Sequence, residues 1–162
     1  MNALLESPGS NALWEPEHRQ KEKILLVDDE PVVRKMLSQV LKEDGYNVRP
    51  VANGIEAIKF ANREDFDLVL LDLNMPGLDG WDTFEQLTSK NPLLPVIVIT
   101  ARPNQWFTAL AAGIGALMEK PLNLEKLTSM IRDLLDEPED VRIARMTGHP
   151  TGFHYVPPTE AN

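Results

Sequence analysis

The sequence contains no cysteine. Disulfide scaffolds, thiolate zinc sites and thiol nucleophiles are therefore excluded. Positive charge is scarce: 16 Lys and Arg face 25 Asp and Glu, a formal net charge of −9. Nonspecific nucleic-acid binding needs Lys and Arg to displace phosphate counterions, so it is not expected. Long apolar runs are missing too. The longest, Ala109 to Met118, is about half the roughly 20 residues that span a bilayer. The opening Met-Asn-Ala-Leu-Leu-Glu has neither a basic n-region nor an apolar run of signal length. Histidine is rare, and His18, His149 and His154 all lie near the ends, so no histidine metal or catalytic cluster is visible and all three are expected at the surface. Gly113-Ile-Gly115 lacks the third glycine of a dinucleotide fingerprint, and no Gly-Lys-Ser/Thr phosphate loop occurs. These absences leave a soluble, acidic, cytoplasmic protein without nucleic-acid or membrane partners.

What is present is a core and a rhythm. Apolar residues make up 43% of the 162 positions and charged residues 25%, a balance typical of a folded domain. Residues 1–22, punctuated by Pro8, Gly9, Ser10 and Pro16, read as a flexible extension, with Leu13-Trp14 its one candidate for docking. From residue 23 to 137 short apolar runs alternate with helical spacings. Ile24 to Val27, Leu68 to Leu71 and Val96 to Ile99 read as strands buried on both faces. Asn47 to Val51 and Ala116 to Met118 read as weaker strands. Helices are expected over Pro31 to Glu43, Asn53 to Asn62, Asp82 to Ser89, Gln105 to Ala112 and Leu124 to Leu135. Val32 and Ile55 are among the apolar residues at helical spacing, and Met36 and Met130, on helical stripes, are assigned to the core. Residues 138–162 read as a short helix over Val141 to Met146, then an irregular tail marked by Gly148, Pro150, Gly152, Pro157 and Pro158.

Repeated β-α units with doubly apolar strands imply a parallel sheet covered by helices on both faces. Ligands of such open sheets bind beyond the carboxyl ends of the strands. There the first strand meets Asp28-Asp29-Glu30, the third ends in Asp72, the fourth in Thr100, and the fifth is followed by Lys120-Pro121. If the first, third and fourth strands are central, three carboxylates converge and repel. A hard cation such as Mg2+ relieves that conflict through oxygen ligands. Lys120 adds a fixed positive charge and Thr100 a hydroxyl, which makes a receptacle for a tetrahedral oxyanion. Asp72 is then the natural nucleophile, because a carboxylate can form an aspartyl phosphate. Each feature alone has a structural explanation: acids cap helices, Asp precedes turns, Thr ends strands, and Lys-Pro is an ordinary turn. Their conjunction at the ends of different strands is hard to obtain from unrelated structural needs.

The segments Ile24-Leu-Leu-Val-Asp-Asp-Glu-Pro31, Phe66-Asp-Leu-Val-Leu-Leu-Asp-Leu-Asn-Met-Pro-Gly-Leu-Asp-Gly80, Pro95-Val-Ile-Val-Ile-Thr-Ala101 and Lys120-Pro121 resemble the receiver domain of two-component response regulators. The resemblance implies an α/β, flavodoxin-like fold with a five-stranded parallel sheet of order 2-1-3-4-5 and helices on both faces. It implies Asp72 as phosphoacceptor, with Thr100 and Lys120 as its catalytic companions. It also implies Asp28, Asp29, Asp72 and the Asn74 main-chain carbonyl as Mg2+ ligands, and Pro121 as a cis-proline. One position departs from the pattern: Leu117 stands where many receivers carry a switch aromatic, and core packing is its simplest role.

The expected function is a phosphorelay response regulator, not an enzyme beyond its own aspartyl phosphorylation and dephosphorylation. The donor would be a sensor histidine kinase or a histidine phosphotransfer protein. Output would run through contacts with a downstream protein, or through a homodimer, since no room for a further output domain is visible. A phosphorylation-independent docking or dimerisation domain is the alternative. A phosphatase reading is weaker, because Asn74 stands where such enzymes need a general acid.

Overall fold

In the computed structural model, which describes residues 21–149 and 151–160, six strands form one parallel sheet in the order β2-β1-β3-β4-β5-β6. The strands are β1 (Lys23–Val27), β2 (Asn47–Val51), β3 (Leu68–Asp72), β4 (Val96–Thr100), β5 (Ala116–Glu119) and β6 (His154–Val156). The helices are α1 (Pro31–Glu43), α2 (Gly54–Ala61), α3 (Gly80–Lys90), α4 (Trp106–Ala112), α5 (Leu124–Leu135) and α6 (Glu139–Met146). The expected order 2-1-3-4-5 is present, with a sixth strand added beside β5.

The side-chain alternation of the strands divides the core into two layers. Ile24 and Leu26 of β1 join Leu37 and Leu41 of α1 with Leu127, Ile131 and Leu134 of α5. Leu25 and Val27 point the other way, to Ala57 of α2, Leu87 of α3 and Ala109 of α4. The chain therefore changes faces where it leaves β2 and returns to β3. That change places a crevice between the carboxyl ends of β1 and β3, the position where doubly wound sheets take ligands.

Local chemistry sets the helix starts. Asn53, Asp79 and Asn123 cap α2, α3 and α5 by accepting backbone N–H bonds, and Pro31 occupies the first turn of α1, where no donor is lost. Two structural features differ from the sequence reading. Met36 is exposed rather than core, as are Val32 and Ile55 at the same helical spacings, because α1 and α2 bury narrower stripes than their apolar residues offer. The tail is not irregular after α6: it returns as β6, which pairs in parallel with β5 through Ala116↔His154, Leu117↔Tyr155 and Met118↔Val156. His154 is thereby half-buried instead of free at the surface. The expectations for residues 1–20, including Leu13-Trp14 and His18, lie outside the described residues. No helix among the described residues is long and apolar enough to cross a membrane.

Candidate functional site

Parallel strands in register bring their last residues to one rim. Asp28 follows β1, Asp72 ends β3, Thr100 ends β4 and Lys120 follows β5. Asp28 and Asp72 are each 1% exposed and Thr100 is fully buried. Three of these side chains are held in the same way. Asp28 Oδ1 accepts from the Glu30 N–H at 2.9 Å, Asp72 Oδ1 from Asn74 at 2.8 Å, and Thr100 Oγ1 from Arg102 at 2.8 Å. Each is a short polar side chain closing a turn onto the amide two residues ahead. In the two aspartates one oxygen is thus committed to the loop and the other is left for chemistry.

Those remaining oxygens face Lys120. Its Nζ lies 3.0 Å from Asp72 Oδ2, 3.7 Å from Asp28 Oδ2 and 4.0 Å from Glu30 Oε1. The Lys120 backbone is fixed by donation from its N–H to the Thr100 carbonyl at 2.8 Å, and the Lys120-Pro121 bond is cis, as expected for Pro121. Carboxylate oxygens of Asp28, Asp29 and Asp72 lie within 4.8 Å of one another.

One lysine does not balance this cluster. Burial pushes the Asp72 carboxyl above its ordinary value, although the Asn74 amide and Lys120 pull it down. Burial likewise raises Asp28 against the Glu30 amide and Lys120, with Glu30 and Asp29 adding to the rise. Burial disfavours the Lys120 ammonium, but its hydrogen bond to Asp72 and the surrounding acids more than offset this and raise it. An all-oxygen donor set with excess negative charge fits a hard divalent cation, which takes oxygen ligands and relieves the repulsion.

The mouth of the site is bridged by groups that the sequence reading did not single out as contacts. Arg102 Nε donates to Asn74 Oδ1 at 2.6 Å, which ties the loop after β4 to the loop after β3. Trp81 Nε1 donates to Gln105 Oε1 at 3.1 Å, joining α3 to the start of α4. Arg34 on α1 donates to the Asp28 carbonyl at 2.7 Å. The first two of these links join segments far apart in sequence and leave no periodic signal. Gly80 permits the close seat of α3 under the site: a Cβ there would lie 2.7 Å from Leu73 Cα and 3.2 Å from the Asp72 carbonyl oxygen. Leu117 is fully buried among Leu71, Val98 and Ile114, in agreement with a packing role.

Residues 24–132 match the family model described as response regulator receiver domain. The chain is 37% identical over 114 residues to the probable transcriptional regulatory protein TcrX of Mycobacterium tuberculosis, covering 69% of this chain and 49% of that protein. It is 38% identical over 122 residues to the response regulator MprA of Mycobacterium leprae, covering 73% and 54% respectively. The chain thus spans about half the length of these two relatives. Among solved structures, a CheY-like receiver domain protein from Methanospirillum hungatei superimposes with a TM-score of 0.71 at 28% identity, covering 75% of this chain and 98% of that one. The response regulator TrrA from Thermotoga maritima, solved in complex with Mg2+ and BeF, gives 0.65 at 31% identity, covering 70% and 98%.

Proposed function

The chain belongs to the response regulator receiver domain family of two-component systems, and from that premise we propose that Asp72 is its phosphoacceptor. The observation that supports this assignment most directly is the pairing of a nearly fully buried carboxylate with an ammonium 3.0 Å away, beside two further acids. We read residues 23–137 as the receiver unit and the segment after it as an appendage.

A carboxylate oxygen of Asp72 attacks phosphorus in a phosphohistidine donor. The new P–O bond forms as the donor's P–N bond breaks, and the electron pair leaves with the imidazole nitrogen. The product is an aspartyl phosphate. Lys120 transfers its contact from the bare carboxylate to the phosphoryl oxygens, which keeps a positive charge where negative charge accumulates. Thr100 supplies a hydroxyl to one of those oxygens at the cost of its bond to the Arg102 amide. Asp28, Asp29, Asp72 and the Asn74 carbonyl would hold Mg2+, which supplies charge neutralisation for the carboxylates and the incoming phosphoryl group. The donor is a histidine kinase or a histidine phosphotransfer protein, and the output is a changed affinity for a protein partner.

The test is intact mass after incubation with acetyl phosphate and Mg2+. A gain of one phosphoryl group, lost with EDTA and in Asp72→Asn, is the expected result. A gain that persists in Asp72→Asn overturns the assignment.

A further inference from the structure

The added strand is tied to the phosphorylation site in several places. Tyr155 Oη donates to Glu119 Oε1 at 2.9 Å. Thr159 donates to the Pro121 carbonyl twice, from its amide at 3.0 Å and from its hydroxyl at 2.7 Å. These anchors are the two residues that flank Lys120. The His154 amide donates to the Gly115 carbonyl at 3.1 Å, and Val156 is buried against the same core layer as Met118. Phe153 makes an edge-on contact with Trp106, ring centres 6.1 Å apart, at the start of the helix that follows Thr100 and Arg102. The tail thus touches both loops that must adjust when Lys120 and Thr100 turn to a phosphoryl group.

Its attachment is unequal along its length. Upstream, Arg145 is 5% exposed and donates to Glu137 Oε2 at 2.8 Å, to the Gly152 carbonyl at 3.1 Å and to the Gly113 carbonyl at 3.2 Å. That buried ion pair fastens α6 and Gly152 to the domain. Gly152 has φ +83°, a conformation open to glycine. Downstream of it the chain is held by one buried apolar side chain, a half-buried Phe153, a three-residue edge strand and exposed polar bonds. Such segments open at low cost compared with the core. The fold therefore contains a fixed anchor ending at Gly152 and a weakly held segment that reads the positions of residues 119, 121 and 106.

We propose that residues 153–159 form a releasable strap, docked beside Lys120 while Asp72 is unmodified and freed from the β5 edge when Asp72 is phosphorylated. The proposal rests on the phosphoacceptor reading above. Its direction follows from the docked contacts, which are complete in the geometry where Lys120 is paired with Asp72. Glu119 and Pro121 are the chain neighbours of Lys120, so any backbone adjustment of Lys120 towards phosphoryl oxygens would be felt directly by the carboxylate and the carbonyl that the strap binds. Release uncovers the edge of β5 and the apolar seats of Phe153 and Val156, so phosphorylation creates a strand-accepting surface. Because coupling is reciprocal, weakening the strap must strengthen binding of a phosphoryl analogue to the site.

The experiment is hydrogen exchange on the full chain, before and after acetyl phosphate and Mg2+, with intact mass recorded on the same samples. Exchange at the His154 and Thr159 amides is expected to rise several-fold on phosphorylation, while α6 stays unchanged and Asp72→Asn shows no response. In parallel, Val156→Ser in the full chain is expected to bind beryllium fluoride with Mg2+ several-fold more tightly than the unmodified chain, read by Trp fluorescence. A phosphoryl mass gain with unchanged or slower exchange overturns the strap's release and leaves the phosphoacceptor standing. No mass gain overturns both. Equal beryllium fluoride affinity in Val156→Ser overturns the coupling.

Discussion

Arg102 and Asn74 join hands across the mouth of the site, Nε to Oδ1 at 2.6 Å, although 28 positions separate them in the chain. Each is two residues beyond a strand-end side chain whose turn it completes: Asn74 beyond Asp72, Arg102 beyond Thr100. The bridge ties together the loops that follow Asp72, the proposed phosphoacceptor, and Thr100, and its removal tests whether it keeps water from the phosphoryl group. Arg102→Ala is expected to shorten the phosphoryl lifetime, by up to about tenfold if a charged hydrogen bond of about 1.5 kcal/mol is lost. The decay of phosphorylated mass after removal of acetyl phosphate measures it. An unchanged decay would show that the bridge does not control water access.

The acidic cluster makes a signed pH prediction for metal-free protein. Asp28 and Asp72 have folded pKa values raised above the ordinary value, chiefly by burial. The native state then binds protons more tightly than the unfolded chain. This contribution to stability is present below the ordinary carboxylate pKa and is lost as pH rises through the raised folded values. Asp28→Asn keeps an oxygen for the Glu30 amide but removes one charge. In EDTA its stability relative to the unmodified chain should improve as pH rises through that window, with no advantage at lower pH. Denaturant titrations across pH test the slope.

Mg2+ should reverse the ranking. The unmodified chain gains stability from any cation bound only when folded, about 2.7 kcal/mol at 100 times the dissociation constant. Asp28→Asn should gain markedly less. Thermal melts with Mg2+ and with EDTA give the comparison, and equal gains would remove Asp28 from the ligand set.

Lys120→Met removes the ammonium that pairs with both buried aspartates. Leaving a buried charge without its partner costs about 3 to 5 kcal/mol; because Lys120 is 19% exposed at its side chain, the lower end applies. The loss should shrink when Mg2+ is added, since the cation takes over part of the neutralisation. A loss of equal size in Mg2+ and EDTA would mean that Lys120 acts by packing alone.

Arg145 and Glu137 make the corresponding prediction for the anchor of the tail. Arg145→Met removes the nearer of two cations from the Glu137 carboxylate, whose side chain is 7% exposed, and leaves it only Arg142 at 3.9 Å; this should cost up to about 3 kcal/mol. Converting Glu137 to Met in the same chain should recover part of that loss, because both members of the closest pair are then gone while Arg142 keeps its bond to the Leu134 carbonyl. Chemical denaturation of the two single variants and the double variant decides it; simple additivity would argue against a specific pair.

Gly80→Ala should destabilise the fold by about 1 to 3 kcal/mol. The added methyl meets the backbone of Leu73 and Asp72 rather than a side chain that can turn away. The same shift would move the loop carrying Asp72, the proposed phosphoacceptor, so labelling by acetyl phosphate should slow together with the fall in stability.

The central strands were legible because they are buried on both faces. Leu68 to Leu71 and Val96 to Ile99 must be apolar throughout, and such runs stand out in any sequence. The rim residues Asp28, Asp72, Thr100 and Lys120 were legible for a related reason. Parallel strands end on one side, so the polar residue that stops each apolar run marks the same edge of the molecule. The exposure of Met36, and of Val32 and Ile55, was not legible, because helical spacing gives a stripe but not its width, which the neighbouring elements decide.

The local order of residues thus determined the β-α alternation, the parallel sheet and the set of side chains that meet at its carboxyl edge. Each of those features follows from periodicity and from where apolar runs stop. Tertiary structure alone decided the bridge from Arg102 to Asn74, the buried Arg145–Glu137 pair and the sixth strand. Phe153-His-Tyr-Val156 is too short and too mixed to declare itself a strand. It becomes one because β5 has a free edge, Pro121 an available carbonyl and Trp106 an exposed ring, and these partners come together only once the rest of the chain has folded.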